Sequence, residues 1–353
     1  MSERDFNMAC PVPLRQATVQ LAHGGGGRLS RELIENVFRP AFGGAAQTNR
    51  HDSAILSLPG QRVAMTTDGY VVKPMFFPGG DIGKLAVCGT INDLAMAGAW
   101  PHALSVSFIL EEGLAFTDLD RIVASMSLSA RTAGVEIVTG DTKVVDKGKG
   151  DGVFITTTGI GVLPDGLTIG PDRVCPGDVV LVSGDVGRHG IAVMSAREGL
   201  QLEGPIESDC APLHEMVRAL VETGIELHCL RDPTRGGLTS VLNEIALDGR
   251  VDIEIDERSV PIGDVVRGAC ELFGLDPLYV ACEGRLVAFV PERDADRALT
   301  LIRAHRHGSD AKRIGNVIGP ATTTRDGRVT LRGRLGTTRL LDLFAGEQLP
   351  RIC

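Results

Sequence analysis

The chain has 353 residues, of which 43% are hydrophobic and 23% charged, and its 36 basic and 45 acidic side chains give a net charge of −9. This length predicts roughly two domains. The acidic balance and an aromatic content of only 4% argue against a nucleic-acid partner, which would require basic surfaces and stacking platforms.

The first half of the chain predicts a mixed domain over residues 21–165, after an irregular extension over residues 1–20 that contains two prolines. Apolar residues at helical spacing predict helices over 29–42, 83–97 and 117–133. Alternating or continuous apolar runs predict strands over 53–58, 62–67, 103–110, 136–138 and 152–162. The polar segment 144–152 is predicted to be a loop between two of these strands.

The second half predicts a compact α+β domain over residues 170–337, after a junction at 164–178 that is rich in Pro, Gly and Asp. We expect strands over 179–184, 283–291 and 312–319, and helices that begin near 187 and cover 213–222, 237–247 and 293–305. Residues 338–353 are predicted to be a flexible tail, since Gly346 and Pro350 disfavour a helix there.

Five aspartates stand beside Gly, Asn or Thr where predicted elements meet, namely Asp52, Asp68, Asp93, Asp141 and Asp232. Carboxylates on several loops suit Mg²⁺, which proteins hold together with substrate phosphates. An aspartate at such a place is also a common turn former or helix cap, and this reading stays open for each one taken alone. Together with Lys84, Lys143 and Arg235 nearby in the sequence, the set favours a site for ATP and Mg²⁺.

The familiar nucleotide motifs do not account for such a site. PGGDIGKL is one residue short of a Walker A loop and has Leu85 where Ser or Thr would bind Mg²⁺. HGGGGR is not a dinucleotide-binding GxGxxG motif. A nucleotide site in this chain is therefore expected to be of another kind.

A family resemblance rests on motifs spread from Val19 to Cys353. They are AHGGGG, TTDGYVV, FFPGGDIGKLAVCGTINDLAMAGA, FILEEG, VTGDTKVV, SDCAPL, LRDPTRGGL, ACEG and the final PRIC. In these motifs the chain resembles the HypE family of hydrogenase maturation factors. That family belongs to the ATP-binding superfamily of aminoimidazole ribonucleotide (AIR) synthetase and selenophosphate synthetase. The resemblance implies a two-domain α+β fold whose N-terminal domains pair across a homodimer, with a flexible tail that ends in a reactive cysteine.

The same resemblance implies the site residues. Magnesium and ATP phosphates would be bound by Asp52, Asp68, Asp93, Asp141 and Asp232. The segment of Gly140, Asp141, Thr142 and Lys143 would contribute to the nucleotide site, with Lys143 neutralising phosphate charge. Lys84 and Asn92 would be further nucleotide contacts.

The implied reaction takes place on Cys353. Its thiol would receive a carbamoyl group from the carbamoyltransferase HypF, and ATP would then drive dehydration of the S-carboxamide to a thiocyanate. Phosphorylation is needed because an amide oxygen is a poor leaving group, and we expect Glu283 to be the general base that removes the N–H protons. The cyano group would pass to iron held by the HypC–HypD complex, as a ligand for [NiFe]-hydrogenase.

Two other functions are compatible with parts of the sequence. One is an ATP-dependent ligase or phosphotransferase of the same superfamily that acts on a free small molecule, which would not need the final PRIC. The other is a non-catalytic scaffold that only carries the thiocyanate, which would not need the aspartates. Eight cysteines without a CxxC motif, and no apolar run of about 18 residues, predict a reducing cytoplasmic location without a membrane partner.

Overall fold

The computed structural model describes residues 27–33, 35–36, 51–58, 60–200, 204, 206–322, 326–343 and 351–353. The predicted extension over residues 1–20 and half of the predicted helix over 29–42 lie outside these ranges. Within them, the first element is the short helix α1 at Arg28–Leu33.

The first domain is built on a five-stranded sheet with two helices on one face. Its strands are β1 (Ala54–Leu58), β2 (Gln61–Tyr70), β5 (Trp100–Glu111), β6 (Glu136–Val145) and β7 (Val153–Val162), in the order β1-β2-β7-β5-β6. A small pair, β3 (Phe76–Phe77) and β4 (Gly80–Asp81), precedes helix α2 (Ile82–Met96), and helix α3 (Phe116–Thr132) follows β5.

Among the described residues, only one face of this sheet is buried. Along β7, buried and more exposed residues alternate over the whole strand, as expected for a strand with one packed face. Met65 on β2 and Ile160 on β7 are directly paired neighbours, and each is more than 40% exposed. The second face therefore carries apolar side chains that the described part of the chain leaves exposed.

Strand β6 is longer than the sequence predicted. The prediction ended at Val138, whereas the strand continues to Val145 and pairs in parallel with β5. Every residue of β6 before Val145 is exposed, so its sequence carries no alternation between apolar and polar residues. Pairing with β5, rather than burial, keeps β6 extended.

The second domain contains a seven-stranded mixed sheet in the order β14-β13-β10-β12-β8-β11-β9. Its strands are β8 (Asp178–Val182), β9 (Cys229–Arg231), β10 (Val251–Asp256), β11 (Val287–Pro291), β12 (Lys312–Pro320), β13 (Val329–Arg332) and β14 (Thr338–Leu341). Its helices are α4 (Arg188–Glu198), α5 (His214–Glu222), α6 (Gly237–Gly249), α7 (Asp264–Phe273) and α8 (Glu292–Ala304). Strand β8 is buried on both faces, with Val180 in one core cluster and Leu181 in another.

Two parts of this domain differ from the sequence prediction. The segment that contains β10 and α7 was not assigned any element. The predicted flexible tail starts too early, because Thr338–Leu341 forms β14 and pairs with β13. Three of the four residues of β14 are exposed, so its sequence lacks the burial pattern from which a strand is predicted. The domain boundaries at 165, 170 and 337 stay predictions.

Helix α2 lies between the two domains and contacts β2, β7 and α3 on one side and α5 and β9 on the other. Thirteen of its 15 residues are buried, which explains its small and apolar composition on every face. Asp81 caps its N-terminus by accepting hydrogen bonds from the amides of Gly83 and Lys84. Among the described residues, no helix has the length and apolarity required to cross a membrane.

Candidate active site

Three of the five predicted aspartates meet at the boundary between the domains. Asp52 precedes β1, Asp93 lies on α2, and Asp232 directly follows β9. One carboxylate oxygen of each lies within 4.8 Å of the corresponding oxygens of the other two. This three-aspartate cluster thus combines residues that are far apart in the sequence.

Neighbouring side chains hold the cluster in place. The Thr66 hydroxyl donates a hydrogen bond to Asp93 Oδ2 at 2.7 Å. Arg231 forms an ion pair with Asp52 at 2.7 Å and a second one with Glu244, also at 2.7 Å. None of these three partners was assigned from the sequence, although Arg231 is part of the RDPTRGG motif.

The cluster holds more negative charge than Arg231 alone offsets. Burial, followed by the charges of Asp68, Asp232 and Asp52, raises the pKa of Asp93 well above its ordinary value. Burial and the neighbouring Asp52 raise the pKa of Asp232 to about 8. Among the described residues, Asp52 Oδ2 has no hydrogen-bond partner. Converging carboxylates with unused oxygens fit a divalent cation that prefers oxygen ligands, such as Mg²⁺.

Asp68, the fourth predicted aspartate, lies on β2 next to the cluster. Its Oδ2 accepts a hydrogen bond from the Tyr70 hydroxyl at 2.9 Å. Burial raises the pKa of Asp68, while the nearby Arg235 guanidinium opposes the shift. Asp68 therefore links the three-aspartate cluster to the positive charge of Arg235.

Glu283, the predicted general base, is a buried residue on the other side of Arg235. The loop that carries it packs so tightly that a Cβ on Gly284 would come within 1.8 Å of the Asp209 carbonyl oxygen. Burial, Asp232 and Asp209 raise the pKa of Glu283 well above its ordinary value. Its Oε1 has no hydrogen-bond partner within the part of the chain that the structure describes.

The thiol of Cys353 faces Glu283 and Arg235. Burial and the Glu283 carboxyl raise the pKa of Cys353, and Arg235 lowers it. In turn, negative charge at Cys353 is the first cause of the raised pKa of Arg235. The predicted acceptor and the predicted base are thus direct neighbours.

The segment Arg351–Cys353, here called the docked segment, pairs with the chain that follows β2. The amide of Val71 donates to the Cys353 carbonyl at 3.3 Å, and the amide of Lys73 donates to the Arg351 carbonyl at 3.2 Å. This antiparallel pattern is that of a short added strand. The contact sets how deeply the thiol enters the site.

Side chains of α4 also bind the docked segment. His189 Nε2 donates to the Ile352 carbonyl at 2.8 Å, which leaves Nδ1 to accept from the Ser208 hydroxyl at 2.8 Å. Arg197 donates to the Arg351 carbonyl at 2.7 Å. These contacts go to backbone atoms, so no sequence pattern identified His189 or Arg197 as part of the site.

Two predicted nucleotide contacts are occupied by other parts of the protein. The Lys84 ammonium donates to the Gly79 carbonyl at 2.8 Å. Asn92 uses its amide group to join the domains, since it donates to the Ala211 carbonyl at 3.1 Å and accepts from the Leu213 amide at 2.8 Å. Their role toward a nucleotide stays a prediction.

The structure does not bring the predicted segment 140–143 to the cluster within one chain. Asp141 and Lys143 are exposed on β6 and form an ion pair at 2.6 Å with each other. Strand register places Asp68 on β2 level with Gly140 on β6, with β7 and β5 between them. Three strand spacings correspond to about 14 Å, so Asp141 is not a metal ligand alongside the three-aspartate cluster of its own chain.

Comparison with known proteins identifies the class first. Residues 50–163 match the model of the AIR synthase related protein N-terminal domain, and residues 175–326 match that of its C-terminal domain. Together the two models span most of the chain. The protein is thus a two-domain protein of the AIR synthase related class.

Similarity over nearly the whole length narrows the class to one family. The chain is 51% identical to carbamoyl dehydratase HypE of Azotobacter vinelandii over 342 residues, which cover 97% of this chain and 99% of that one. A solved structure of HypE in complex with ATP is 47% identical, with a TM-score of 0.80, and covers 95% of this chain and all of that one. A solved HypE–HypF complex matches with a TM-score of 0.82 at 47% identity, over 88% of this chain and 99% of that one. The chain belongs to the HypE family of carbamoyl dehydratases.

Proposed function

We propose that this protein uses ATP to dehydrate an S-carboxamide on Cys353 to a thiocyanate, which supplies the cyanide ligand of [NiFe]-hydrogenase iron. The observation that carries the proposal is the position of the Cys353 thiol next to Glu283, Arg235 and Asp68, the last of which lies beside the three-aspartate cluster. An enzyme that acts on a free small molecule has no use for one of its own cysteines there. A scaffold that only carries the product has no use for the aspartates.

The three-aspartate cluster is the proposed Mg²⁺ site. Asp52, Asp93 and Asp232 would hold the ion, which when bound would neutralise phosphate charge of ATP. The unused Asp52 oxygen and the raised pKa values of Asp93 and Asp232 support this assignment. Asp68 lies on the side of the cluster that faces Cys353 and would contribute to the same site.

The proposed reaction forms one bond and breaks another in each of two steps. First, the carboxamide oxygen attacks the γ-phosphorus of ATP, ADP leaves, and one N–H proton is lost, which gives a phosphorylated imidate. The C–O bond then breaks, phosphate departs, and loss of the second N–H proton completes the C≡N bond. Glu283 is the proposed acceptor of these protons, because a carboxylate with a raised pKa is a stronger base at neutral pH. Arg235 would balance the phosphate charge beside the sulfur.

The proposed active state is a homodimer. It is supported by the uncovered apolar face of the first sheet and by the exposed edge strand β6, which carries Val138 and Val144 at 60% and 67% exposure. Pairing of two such sheets would bury these residues. It would also bring Asp141 and Lys143 toward the nucleotide site of the twin chain, since they do not reach the site of their own chain.

The proposed partners follow from the same reaction. HypF would supply the carbamoyl group, in line with the solved HypE–HypF complex, and the HypC–HypD complex would accept the cyanide. The thiol must leave this place to meet them, and its release requires the docked segment to give up its hydrogen bonds, the buried position of Ile352 and the Arg351–Asp151 ion pair. The described cysteines are all free thiols, which supports the proposed reducing, cytoplasmic location.

Intact-mass spectrometry tests the proposal. The protein is incubated with HypF, carbamoyl phosphate and ATP, and we expect Cys353 to gain one carbamoyl group and then to lose one water. Cys353→Ser should acquire no thiocyanate, while Glu292→Gln, at an exposed position on α8, should react like the wild type. A stable carbamoyl adduct that never loses water would contradict the proposed activity.

A further inference from the structure

A second cluster of metal-binding groups lies away from the candidate active site, where the domain junction enters β8. Cys175 Sγ is 3.5 Å from Asp178 Oδ1 and 3.8 Å from His228 Nδ1. His228 Nδ1 is 2.7 Å from Asp178 Oδ2. The three ligand atoms all lie within 4.8 Å of one another.

We propose that Cys175, Asp178 and His228 form a binding site for a divalent transition metal of the zinc type. Zinc is held tetrahedrally by thiolate at about 2.3 Å and by imidazole or carboxylate at about 2.0–2.1 Å. Those lengths require ligand atoms about 3.3–3.6 Å apart. To admit the ion, the His228–Asp178 pair would open from 2.7 Å by about 0.6 Å, and Cys175 would approach His228 from 3.8 Å by a few tenths of an ångström. On binding, the metal replaces the thiol proton and the proton shared between His228 Nδ1 and Asp178.

The surroundings of His228 provide independent support. Its second ring nitrogen, Nε2, is 3.1 Å from Glu226 Oε1. Metal-ligating histidines commonly donate their other N–H to a carboxylate, which orients the ring and fixes the tautomer. Glu226 is itself held by ion pairs with Arg173 and Arg293. His228 is thus oriented with Nδ1 toward Cys175 and Asp178.

The donor set separates this site from the three-aspartate cluster. Sulfur and nitrogen ligands select zinc-type ions over Mg²⁺, which prefers oxygen alone. Cys175 is exposed, so an ion can enter from solvent, and three protein ligands leave a fourth position for water. A bound metal would join the junction loop to the residue that precedes β9, the strand that ends beside Asp232.

Cobalt binding tests the site without relying on enzymatic activity. The complete chain is stripped of metal, saturated with Mg²⁺ to fill the three-aspartate cluster, and titrated with Co²⁺. We expect one equivalent to produce a thiolate-to-cobalt charge-transfer band. Cys175→Ser should abolish the band, and Cys353→Ser should retain it. Glu226→Gln should weaken Co²⁺ binding about tenfold or more.

Two results would overturn the proposal. One is the absence of a thiolate band in the wild type at saturating Co²⁺. The other is a band that survives in Cys175→Ser and disappears in Cys353→Ser, which would place the ion at the docked segment. A thermal unfolding scan of each variant with and without Zn²⁺ gives a second readout, and stabilisation by Zn²⁺ must be lost in Cys175→Ser and retained in Cys353→Ser.

Discussion

Buried carboxyl groups set the chemistry of this protein at the scale of single residues. Glu283, Asp68 and the three-aspartate cluster share a region from which water is largely excluded, so each charge raises the pKa of the others. Such mutual repulsion destabilises the free protein and is relieved when cations enter. The carboxylates also have different roles: the three-aspartate cluster suits a metal ion, whereas Glu283 suits the acceptance of a proton.

Glu283→Gln tests the role of the proton acceptor. We expect the dehydration rate to fall about 100-fold or more, because removal of a general base typically costs that much. Carbamoyl transfer to Cys353 and ATP affinity should stay near wild-type values, since the amide keeps the size of the side chain. Glu292→Gln, at an exposed position on α8, is the control. An unchanged dehydration rate in Glu283→Gln would assign the base to another group.

The pKa of Asp232 predicts how stability depends on pH. Its pKa is about 8 in the folded protein and about 3.8 ordinarily, so between these values the folded state retains a proton that the unfolded state has lost. Stability of the metal-free protein should therefore fall as pH rises from about 4 to about 8. Asp232→Asn lacks this contribution, so its stability relative to the wild type should increase over that range.

Urea unfolding at several pH values, with and without Mg²⁺, measures this effect. Saturating Mg²⁺ should reduce the pH-dependent difference between the wild type and Asp232→Asn, because the ion favours the charged carboxylate. A difference that is constant from about pH 5 to pH 8 in the metal-free protein would argue against the raised pKa.

At the scale of elements, the exposure of β6 is the feature that a single chain does not explain. It is an edge strand with exposed apolar residues, a combination that proteins usually cover. Val138→Lys should therefore convert the proposed dimer to a monomer that stays folded, because a charge would be buried in the interface without a partner. Val123→Lys, on the exposed face of α3, should leave the dimer intact. Size-exclusion chromatography with light scattering distinguishes the species, and a dimeric Val138→Lys would exclude β6 from the interface.

The docked segment depends on α4 for its position. Arg197 bridges the carbonyls of Lys73 and Arg351, so Arg197→Ala should weaken docking by about 1 kcal/mol and slow dehydration several-fold. Carbamoyl transfer by HypF, which requires the thiol outside, should not be slowed. Arg218→Ala, which removes an exposed arginine on α5, is the matched control. Equal slowing of both steps would indicate a general loss of structure instead.

At the scale of the whole molecule, the site exists only because two domains are held together. Asn92 on α2 joins them through the Ala211 carbonyl and the Leu213 amide. Asn92→Ala leaves both backbone groups buried without a partner, and we expect a loss of about 2–4 kcal/mol in the free energy of unfolding. Urea denaturation measures it, and a loss below about 1 kcal/mol would mean that water replaces the amide.

Local patterns were sufficient for several of the buried elements, although the mostly buried strand β10 was missed. The continuous apolar run of β8 and the helical spacing of α3 and α8 were predicted close to their observed bounds, because burial on a periodic backbone leaves a periodic sequence. The same rule explains the failures at β6 and β14, which are mostly exposed and are held by their neighbours. Short motifs likewise indicated Asp52, Asp93 and Asp232 as members of one site.

The sequence by itself determined the family, the two-domain class and the chemical types of the site residues, because these depend on motifs and on local periodicity. Only the tertiary structure decided which residues meet. It brought Cys353 to Glu283, committed Asn92 to the domain interface, and left Asp141 and Lys143 on an outer strand, three strands away from Asp68. These distances depend on strand order and on packing between domains, and neither is encoded in the spacing of residues along the chain.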